Sequence, residues 1–351
     1  MSDGLLVVIV LVALGFDFTN GFHDTANAVA TSVSTRALSP RVAVAIAAIM
    51  NFVGAFTSTK VAQTVGDGLI NTDQGRVTGH LILAALFGAI AWNLFTWRLG
   101  LPSSSSHALV GGLVGAALAA GGPDPVQWDG IWNKVVWPGL ASPVIGFVIA
   151  GAIMVGILWL FRRVRPAPLN RGFRLAQVAS GSFMAFAHGT NDAQKTMGVI
   201  VLTLVASDRL APDAGVPTWV KVTCAVAVAL GTWSGGWRVI RTLGTKVTDV
   251  TAPQGFSAET ASSTTILASS YFGFSLSTTQ VVSGGVMGTG LARPGHAVNW
   301  PVVKRMVSAW LVTLPAAGLV GAVSEEIVDH SPSDAVGCFF VALVASLVLA
   351  Y

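Results

Sequence analysis

Two aspartates occupy similar positions in two polar, glycine-containing stretches of an otherwise apolar chain. The first stretch is Asn20-Gly-Phe-His-Asp-Thr-Ala-Asn27, and the second is His188-Gly-Thr-Asn-Asp-Ala-Gln-Lys195. Gly, Asn, Asp and Thr disfavour an uninterrupted helix, so each stretch predicts a broken helix with Asp24 or Asp192 near the break. A carboxylate inside a bilayer is costly and is by default a candidate functional group. The alternative is a helix end at the membrane interface, capped by the aspartate.

Two runs of hydroxyl residues form a second pair of features. They are Ser103, Ser104, Ser105 and Ser106, and then Ser277, Thr278 and Thr279. Apolar sequence precedes each run and a small-residue helix pattern follows it, which predicts two re-entrant hairpins built from half-helices. Hydroxyls at a helix start cap free backbone N–H groups, and those N–H groups with the helix dipole bind anions. The alternative is that the hydroxyls join helices through hydrogen bonds.

His107 and Gln280 end the two hydroxyl runs at equivalent positions. Both side chains can hydrogen-bond an oxyanion, and both could equally pack between helices. We predict a substrate site formed by these two residues, the hydroxyl runs and the two aspartates.

Anion donors beside two carboxylates create an electrostatic conflict. The conflict disappears if cations lie between the carboxylates and the anion, or if the anion itself carries protons. Na⁺ binds carboxylate, hydroxyl and carbonyl oxygens, so we predict a coupling-cation site at Asp24, Asn27, Asp192 and Asn191, with H⁺ as the alternative coupling ion. Lys195 follows Asp192 by three positions on the same helix face, where it can neutralise Asp192 or contact the anion.

The charge argument also bears on the substrate. Phosphate keeps a proton near neutral pH and can donate it to an aspartate, whereas sulfate cannot. Direct contact between an aspartate and the anion would therefore favour phosphate. If both aspartates contact only cations, this discrimination vanishes and a sulfate permease remains the alternative.

The composition identifies the elements that must position these residues. Hydrophobic residues make up 53% of the 351 residues and charged residues only 10%, against roughly 25% charged in an ordinary globular protein. Uncharged stretches long enough to span a bilayer recur along the chain, at 42–59, 77–97, 99–123, 135–161, 260–292, 306–324 and 335–351. We predict an all-α polytopic membrane protein, multi-pass in the cell membrane and surrounded by the lipid bilayer.

The unusual residues occur twice, in the same order. The segment that begins at Gly100 matches the one at Gly273 with an offset of 273 − 100 = 173, and Gly21 matches Gly189 with an offset of 189 − 21 = 168. We predict a first repeat half at 1–161, an Arg-rich cytoplasmic linker at 162–171 and a second half at 172–351. Secondary transporters are commonly built from such repeats, which are inverted if each half crosses the membrane an odd number of times.

The charges predict an orientation. Five arginines crowd one connection, namely Arg162, Arg163, Arg165, Arg171 and Arg174, and such clusters mark the cytoplasmic side. The acidic connection with Glu325, Glu326, Asp329 and Asp334 and the linker 122–130 are then outside. Arginines beside a membrane span need no nucleic acid, so we expect no nucleic-acid partner.

The segments Gly21-Phe-His-Asp-Thr-Ala-Asn-Ala28 and His188 to Lys195 resemble the duplicated signature of the PiT family of inorganic phosphate transporters. The stretch Gly255-Phe-Ser-Ala-Glu259 resembles a further landmark, whose glutamate the family needs for transport. The resemblance covers essentially the whole chain. It implies inverted repeats, a transport core and coupling to Na⁺ or H⁺, with Asp24, Asn27 and Asp192 lining the site.

The resemblance has departures and leaves alternatives. His23 replaces the Asn of the first signature, and Gln63 stands where many members have a Glu. From the sequence alone, Glu259 could be a cap at a helix start; the resemblance gives it a coupling or structural role. The family also contains sulfate permeases, and we consider a homodimer.

Two other classes of protein were weighed. An intramembrane hydrolase would need no duplicated site, and the chain contains no His-Glu-x-x-His or Gly-x-Gly-Asp motif. A passive anion channel would work without the carboxylates. We predict no enzyme and no cofactor, but a secondary active symporter of inorganic phosphate.

Overall fold

The computed structural model describes residues 1–71, 77–293 and 298–329, and the regular structure in these ranges is helical. An isolated antiparallel bridge joins Ile70 to Val126. The all-α prediction is therefore confirmed. Asp334, the uncharged run 335–351 and the end of the second repeat half lie outside the described residues.

The first half of the chain begins with a long helix and ends with another. Its helices are α1 (Asp3–Ser34), α2 (Pro40–Gly54), α3 (Lys60–Asp67), α4 (Gly79–Arg98), α5 (Ser105–Gly121), α6 (Trp128–Ile131) and α7 (Trp137–Leu160). A π-helical turn (Trp132–Val136) joins α6 to α7. Long apolar sequence favours helices here because a helix satisfies its own backbone hydrogen bonds.

The second half contains a similar series of helices, with its π-helical turn earlier in the series. Its helices are α8 (Pro166–Ala206), α9 (Thr218–Ser234), α10 (Trp237–Arg241), α11 (Ala252–Tyr271), α12 (Thr278–Ala292) and α13 (Trp300–Asp329). A second π-helical turn (Thr242–Lys246) follows α10. The connection from α7 to α8 is shorter than the linker predicted at 162–171, because Pro166 starts the helix at a position that favours proline.

Within the described ranges, four helical segments are long and apolar enough to cross a membrane. They are Asp3–Ser34, Gly79–Arg98, Trp128–Leu160 and Trp300–Val328. The last begins near Lys304 and Arg305 and ends near Glu325 and Glu326, so one span separates the basic end from the acidic end.

The two predicted hairpins are present as helix–turn–helix units, α4–α5 and α11–α12. Each turn contains a glycine with positive φ, Gly100 at +65° and Gly273 at +78°, a conformation that glycine adopts without strain. Ser104 caps α5 by accepting a hydrogen bond from the His107 N–H at 3.1 Å, and Ser277 caps α12 in the same way. Whether the hairpins re-enter a membrane from one side stays a prediction.

The predicted helix breaks at Asp24 and Asp192 are wrong, since α1 and α8 run through both residues without interruption. The glycines of these stretches allow close helix packing instead. A Cβ on Gly21 would lie 2.5 Å from the carbonyl oxygen of Val228 in α9. Thr25 folds its hydroxyl back onto the carbonyl of Gly21 at 2.6 Å, a bond that leaves the helix intact.

Helices of one half pack against helices of the other in matching pairs. Helix α1 packs on α9 and α8 packs on α2; likewise α5 packs on α13 and α12 packs on α7. Two similar halves related by a two-fold axis would give this exchange, although the inverted arrangement itself stays a prediction. The exchange brings α1 and α8 to the centre, where both hairpin turns meet them.

Candidate functional site

Helices α1 and α8 bring the two aspartates together in the interior. Asp24 is 2% exposed and Asp192 is fully buried. Asp24, His188 and Asp192 each offer one ligand atom, and these atoms lie within 4.8 Å of one another. Two carboxylates at 4.8 Å or less repel each other by at least about 3.5 kcal/mol at an effective dielectric constant of 20. Both can stay ionised only if positive charge or donors surround them.

Both hairpins supply donors to Asp24. The Ser105 hydroxyl, from the start of α5, donates to Oδ2 at 2.8 Å. The Thr279 hydroxyl, from the start of α12, donates to Oδ1 at 3.3 Å. His23 places its Nδ1 2.6 Å from the same Oδ1. Asp24, which lies in the first half, therefore accepts hydrogen bonds from the hydroxyl runs of both halves.

Asp192 has a more basic surrounding. The Lys195 ammonium group forms an ion pair with Oδ1, and His188 Nε2 lies 3.0 Å from Oδ2. Asn191 donates its amide to Oδ1 at 2.7 Å, and Thr278 donates its hydroxyl to Oδ2 at 3.4 Å. Of the two roles foreseen for Lys195, the geometry matches neutralisation of Asp192.

The carbonyl of Leu276 joins the second hairpin turn to the rest of the site. It accepts hydrogen bonds from Ser106 of the first hairpin at 3.1 Å, from Asn191 at 3.0 Å and from Lys195 at 3.2 Å. Asn27 completes the connection by donating to the Thr279 hydroxyl at 2.9 Å. The Oδ1 atom of Asn27 is buried without a hydrogen-bond partner, so it is available to a cation.

The starts of α5 and α12 make this centre suitable for an anion. The first N–H groups of a helix have no acceptor within it, and the dipole favours negative charge there. Ser105 and Thr279 lie in these first turns and contact Asp24. The centre thus combines oxygen ligands for cations with two helix starts for an anion, within one buried cluster.

Other predicted site residues serve different contacts. The hydroxyls of Ser104 and Ser277 are used in capping, and Ser103 bonds Thr96 at 2.7 Å. The His107 and Gln280 side chains both lie near Gly139, in the lining of a largely apolar cavity of about 560 Å³ between α7 and α13. Their part in a substrate site stays a prediction.

Glu259 lies in the interior of α11 and not at its start, so the capping alternative is wrong. Thr251 and Gln254 cap this helix. The Glu259 carboxylate accepts hydrogen bonds from four side chains of α1 and α8, namely Thr31 at 2.6 Å, Ser32 at 2.7 Å, Gln177 at 3.1 Å and Ser180. It therefore ties three helices together, away from the aspartates.

His23 and His188 belong to the centre but were absent from the predicted site residues. A signal was present for His188, because it precedes Asp192 by four positions and hence shares its helix face. His23 neighbours Asp24 in sequence, but its contacts with Thr96 and Ser103, each at 3.3 Å, join three elements that are distant in the chain.

Together, the apolar helices and the buried polar centre are those of a helical membrane protein. Residues 20–171 and 162–321 match the family model described as "Phosphate transporter family". The chain belongs to the phosphate transporter family. The predicted resemblance to inorganic phosphate transporters is thereby confirmed.

Similar proteins carry corresponding names. A "probable low-affinity inorganic phosphate transporter" of Mycobacterium tuberculosis (strain ATCC 25618 / H37Rv) is 53% identical over 320 residues, which cover 91% of this chain and 76% of the relative. A protein of the same name from Bacillus subtilis (strain 168) is 42% identical, covering 93% of this chain and 97% of the relative. These names confirm the prediction that the chain is a transporter and not an enzyme.

A solved structure has a similar fold. It is titled "The sodium-dependent phosphate transporter" and matches with a TM-score of 0.79 at 25% identity. The match covers 93% of this chain and 99% of the other. The fold is thus that of a phosphate transporter along nearly its whole length.

Proposed function

We propose that this chain is a sodium-coupled symporter of inorganic phosphate in the cell membrane. Phosphate binds at the starts of α5 and α12, beside the hydroxyls of Ser105 and Thr279. Sodium binds beside the anion, at Asp24, Asn27, Asp192 and Asn191. The two halves, 1–161 and 172–351, rock about this centre, and the Arg-rich connection faces the cytoplasm.

The observation that carries the proposal is the close approach of Asp24 and Asp192 at the two helix starts. An anion that entered this centre alone would add its charge to two carboxylates within 4.8 Å of each other, with Lys195 as their basic partner. Cations that enter with the anion remove this repulsion. Coupling then follows from charge balance, because the anion is not stable in the centre without the cations.

Phosphate is supported over other anions by two considerations. The relatives from M. tuberculosis and B. subtilis are named as inorganic phosphate transporters. The hydroxyls that would contact the anion are the same ones that contact Asp24, so a protonated anion can donate to the carboxylate. Sulfate at that position leaves an acceptor facing an acceptor.

Sodium is supported over the proton by the ligand set and by the solved structure. Carboxylate, amide and hydroxyl oxygens suit a hard cation. The Asn27 Oδ1 atom is buried without a partner beside them and adds one more oxygen ligand. The similar solved structure is titled as sodium-dependent.

Asp24→Asn tests the proposal, because it removes a charged cation ligand and keeps the side-chain shape. We expect sodium-driven uptake of labelled phosphate into proteoliposomes to fall by roughly two orders of magnitude or more, the loss of about 3 kcal/mol of interaction. Asp3→Asn is the matched control, since Asp3 starts the same helix and is 80% exposed. Near-normal uptake by Asp24→Asn would refute the cation site.

A further inference from the structure

A second group of polar side chains lies buried along α1, away from the centre. It consists of Asp17 and Asn20 on α1, Asn93 on α4 and Thr196 on α8, here called the Asp17 cluster. All four residues are fully buried. Seven side-chain atoms of the cluster have no hydrogen-bond partner among the described residues, including both oxygens of Asp17. Buried polar atoms without partners are rare, and an unseen water or ion is a usual explanation.

The elements of the fold place these residues at one level. Thr196 lies next to the Asp17 carboxylate, and Asn20 follows Asp17 by three positions on the same face of α1. Helices α1 and α4 run in the same direction, because Ile9 approaches Gly79 and His23 meets Thr96. Asn20 precedes His23 by three residues, and Asn93 precedes Thr96 by three residues. Asn93 of α4 therefore lies at the level of Asn20 of α1.

The charges of the neighbouring helices favour a cation over water in this cluster. Helices α1, α8 and α11 hold four buried carboxylates, Asp17, Asp24, Asp192 and Glu259, against one buried lysine, Lys195, and two buried histidines, His23 and His188, which lie beside Asp24 and Asp192. Lys195 pairs with Asp192. Glu259 accepts hydrogen bonds from four side chains, whereas the Asp17 carboxylate has, among the described residues, the Thr196 hydroxyl as its one neighbouring side-chain donor. Asp17 therefore lies beside the Thr196 hydroxyl with no positive group bonded to it among the described residues.

The geometry points to a second sodium site in the Asp17 cluster, formed by the Asp17 carboxylate, the Thr196 hydroxyl and the side-chain carbonyls of Asn20 and Asn93. Carboxylate, hydroxyl and amide oxygens are the ligands of hard cations. The site lies seven residues, or roughly 10 Å of helix rise, from Asp24. The inference rests on the proposed sodium coupling and adds a separate binding site to it.

The polar face of α1 continues from this site towards the centre. Asp17, Asn20, Asp24 and Asn27 follow each other at intervals of three, four and three residues, so they form one stripe on the helix. All four are buried. A cation in the Asp17 cluster and a cation at Asp24 would therefore occupy two levels of the same polar stripe.

The first experiment compares sodium dependence in the wild type, Asp17→Asn and Thr196→Val, in proteoliposomes with labelled phosphate and ²²Na⁺. We expect Asp17→Asn to raise the half-saturating sodium concentration roughly tenfold or more, because ligand charge sets cation affinity. The phosphate KM at saturating sodium should stay within about twofold of the wild type, and Asp3→Asn should match the wild type. Thr196→Val should shift the sodium dependence in the same direction by a smaller factor.

The outcomes separate this inference from the proposed function. Wild-type phosphate uptake that does not depend on sodium would overturn both the proposed function and the second sodium site. The second site alone would be overturned if wild-type uptake depends on sodium but Asp17→Asn and Thr196→Val match the wild type. The match must hold for both the half-saturating sodium concentration and the Na⁺-to-phosphate ratio.

A binding measurement covers the case in which Asp17→Asn does not transport. Sodium that binds the folded protein raises its thermal unfolding midpoint in detergent, relative to choline. The Asp24→Asn variant, whose central site is impaired, should still be stabilised by sodium, whereas Asp24→Asn with Thr196→Val should lose most of that shift. An Asp24→Asn variant that sodium does not stabilise would mean that the cluster holds only water.

Discussion

The ion pair between Asp192 and Lys195 allows a quantitative test of the charge balance in the centre. Both side chains are nearly inaccessible to solvent, at 0% and 1% exposure. Removing one partner of a buried pair costs about 3–5 kcal/mol, because the remaining charge stays buried without compensation. Replacing both partners by neutral groups is often close to neutral in stability.

The two single replacements should differ in the loss of stability that they cause. Asp192→Asn leaves the Lys195 ammonium group with one other acceptor, the Leu276 carbonyl at 3.2 Å. Lys195→Met leaves Asp192 with His188 at 3.0 Å and Asn191 at 2.7 Å. We therefore expect the free energy of unfolding to fall by about 5 kcal/mol in Asp192→Asn and by about 3 kcal/mol in Lys195→Met, the upper and lower ends of the range for broken buried pairs.

The double variant decides the matter. Asp192→Asn with Lys195→Met should recover at least about 2 kcal/mol of the summed losses, since neither charge remains. The measurement is the thermal unfolding midpoint of the purified protein in one detergent, where the largest single loss should lower the midpoint by on the order of 10 °C. Losses that simply add, within about 0.5 kcal/mol, would show that the two charges are not coupled.

Three further predictions concern the hairpins, Glu259 and the helix contacts. Ser105→Ala with Thr279→Ala should raise the phosphate KM roughly tenfold or more in uptake assays, because two donors at the helix starts are lost; an unchanged KM would make the hydroxyls purely structural. Glu259→Gln should keep most of the phosphate uptake. Glu259→Ala should show little folded protein in size-exclusion profiles, since Ala leaves four donors unpaired. Equal loss of uptake in two well-folded variants would instead indicate a role in coupling. Gly21→Ala should lower stability by about 1–3 kcal/mol because its Cβ meets the α9 backbone, whereas Gly15→Ala, with open space, should not; equal midpoints would contradict the close packing of α1 and α9.

The hairpins could be predicted from the sequence because their signals are local. A hydroxyl residue at the N-cap and a glycine in the preceding turn determine where each second arm begins, and both signals occur within a few residues. The duplication strengthened the prediction, since Gly100 and Gly273 stand at equivalent positions. The cluster of hydroxyls and aspartates at the centre follows once both hairpins meet α1 and α8.

The continuity of α1 and α8 could not be predicted in the same way. Gly21 resembles a helix breaker in the sequence, but its lack of a side chain serves contact with α9, more than 200 residues away. Tertiary packing overrides local propensity at such a position. The donors around Glu259 likewise come from helices distant in the chain, as do Asn93 and Thr196 of the Asp17 cluster, so no local pattern reveals these contacts.

The position of His107 and Gln280 in the lining of a cavity beside α7 has a similar origin. Both residues lie in the first turn of a helix, close in sequence to hydroxyls that contact Asp24. A helix turns by about 100° per residue, so neighbours in sequence point to different surroundings. The sequence identified the right turns but not which side chains of each turn face the centre.

Uptake of labelled phosphate into proteoliposomes that contain the purified protein tests the central claim most directly. The vesicles are compared with and without an inward sodium gradient, with a proton gradient alone, and with excess unlabelled sulfate as competitor. Sodium-coupled phosphate symport predicts concentrative uptake that requires the sodium gradient and persists in the presence of sulfate. Uptake driven by the proton gradient alone, loss of uptake to sulfate, or equilibration without accumulation would contradict it.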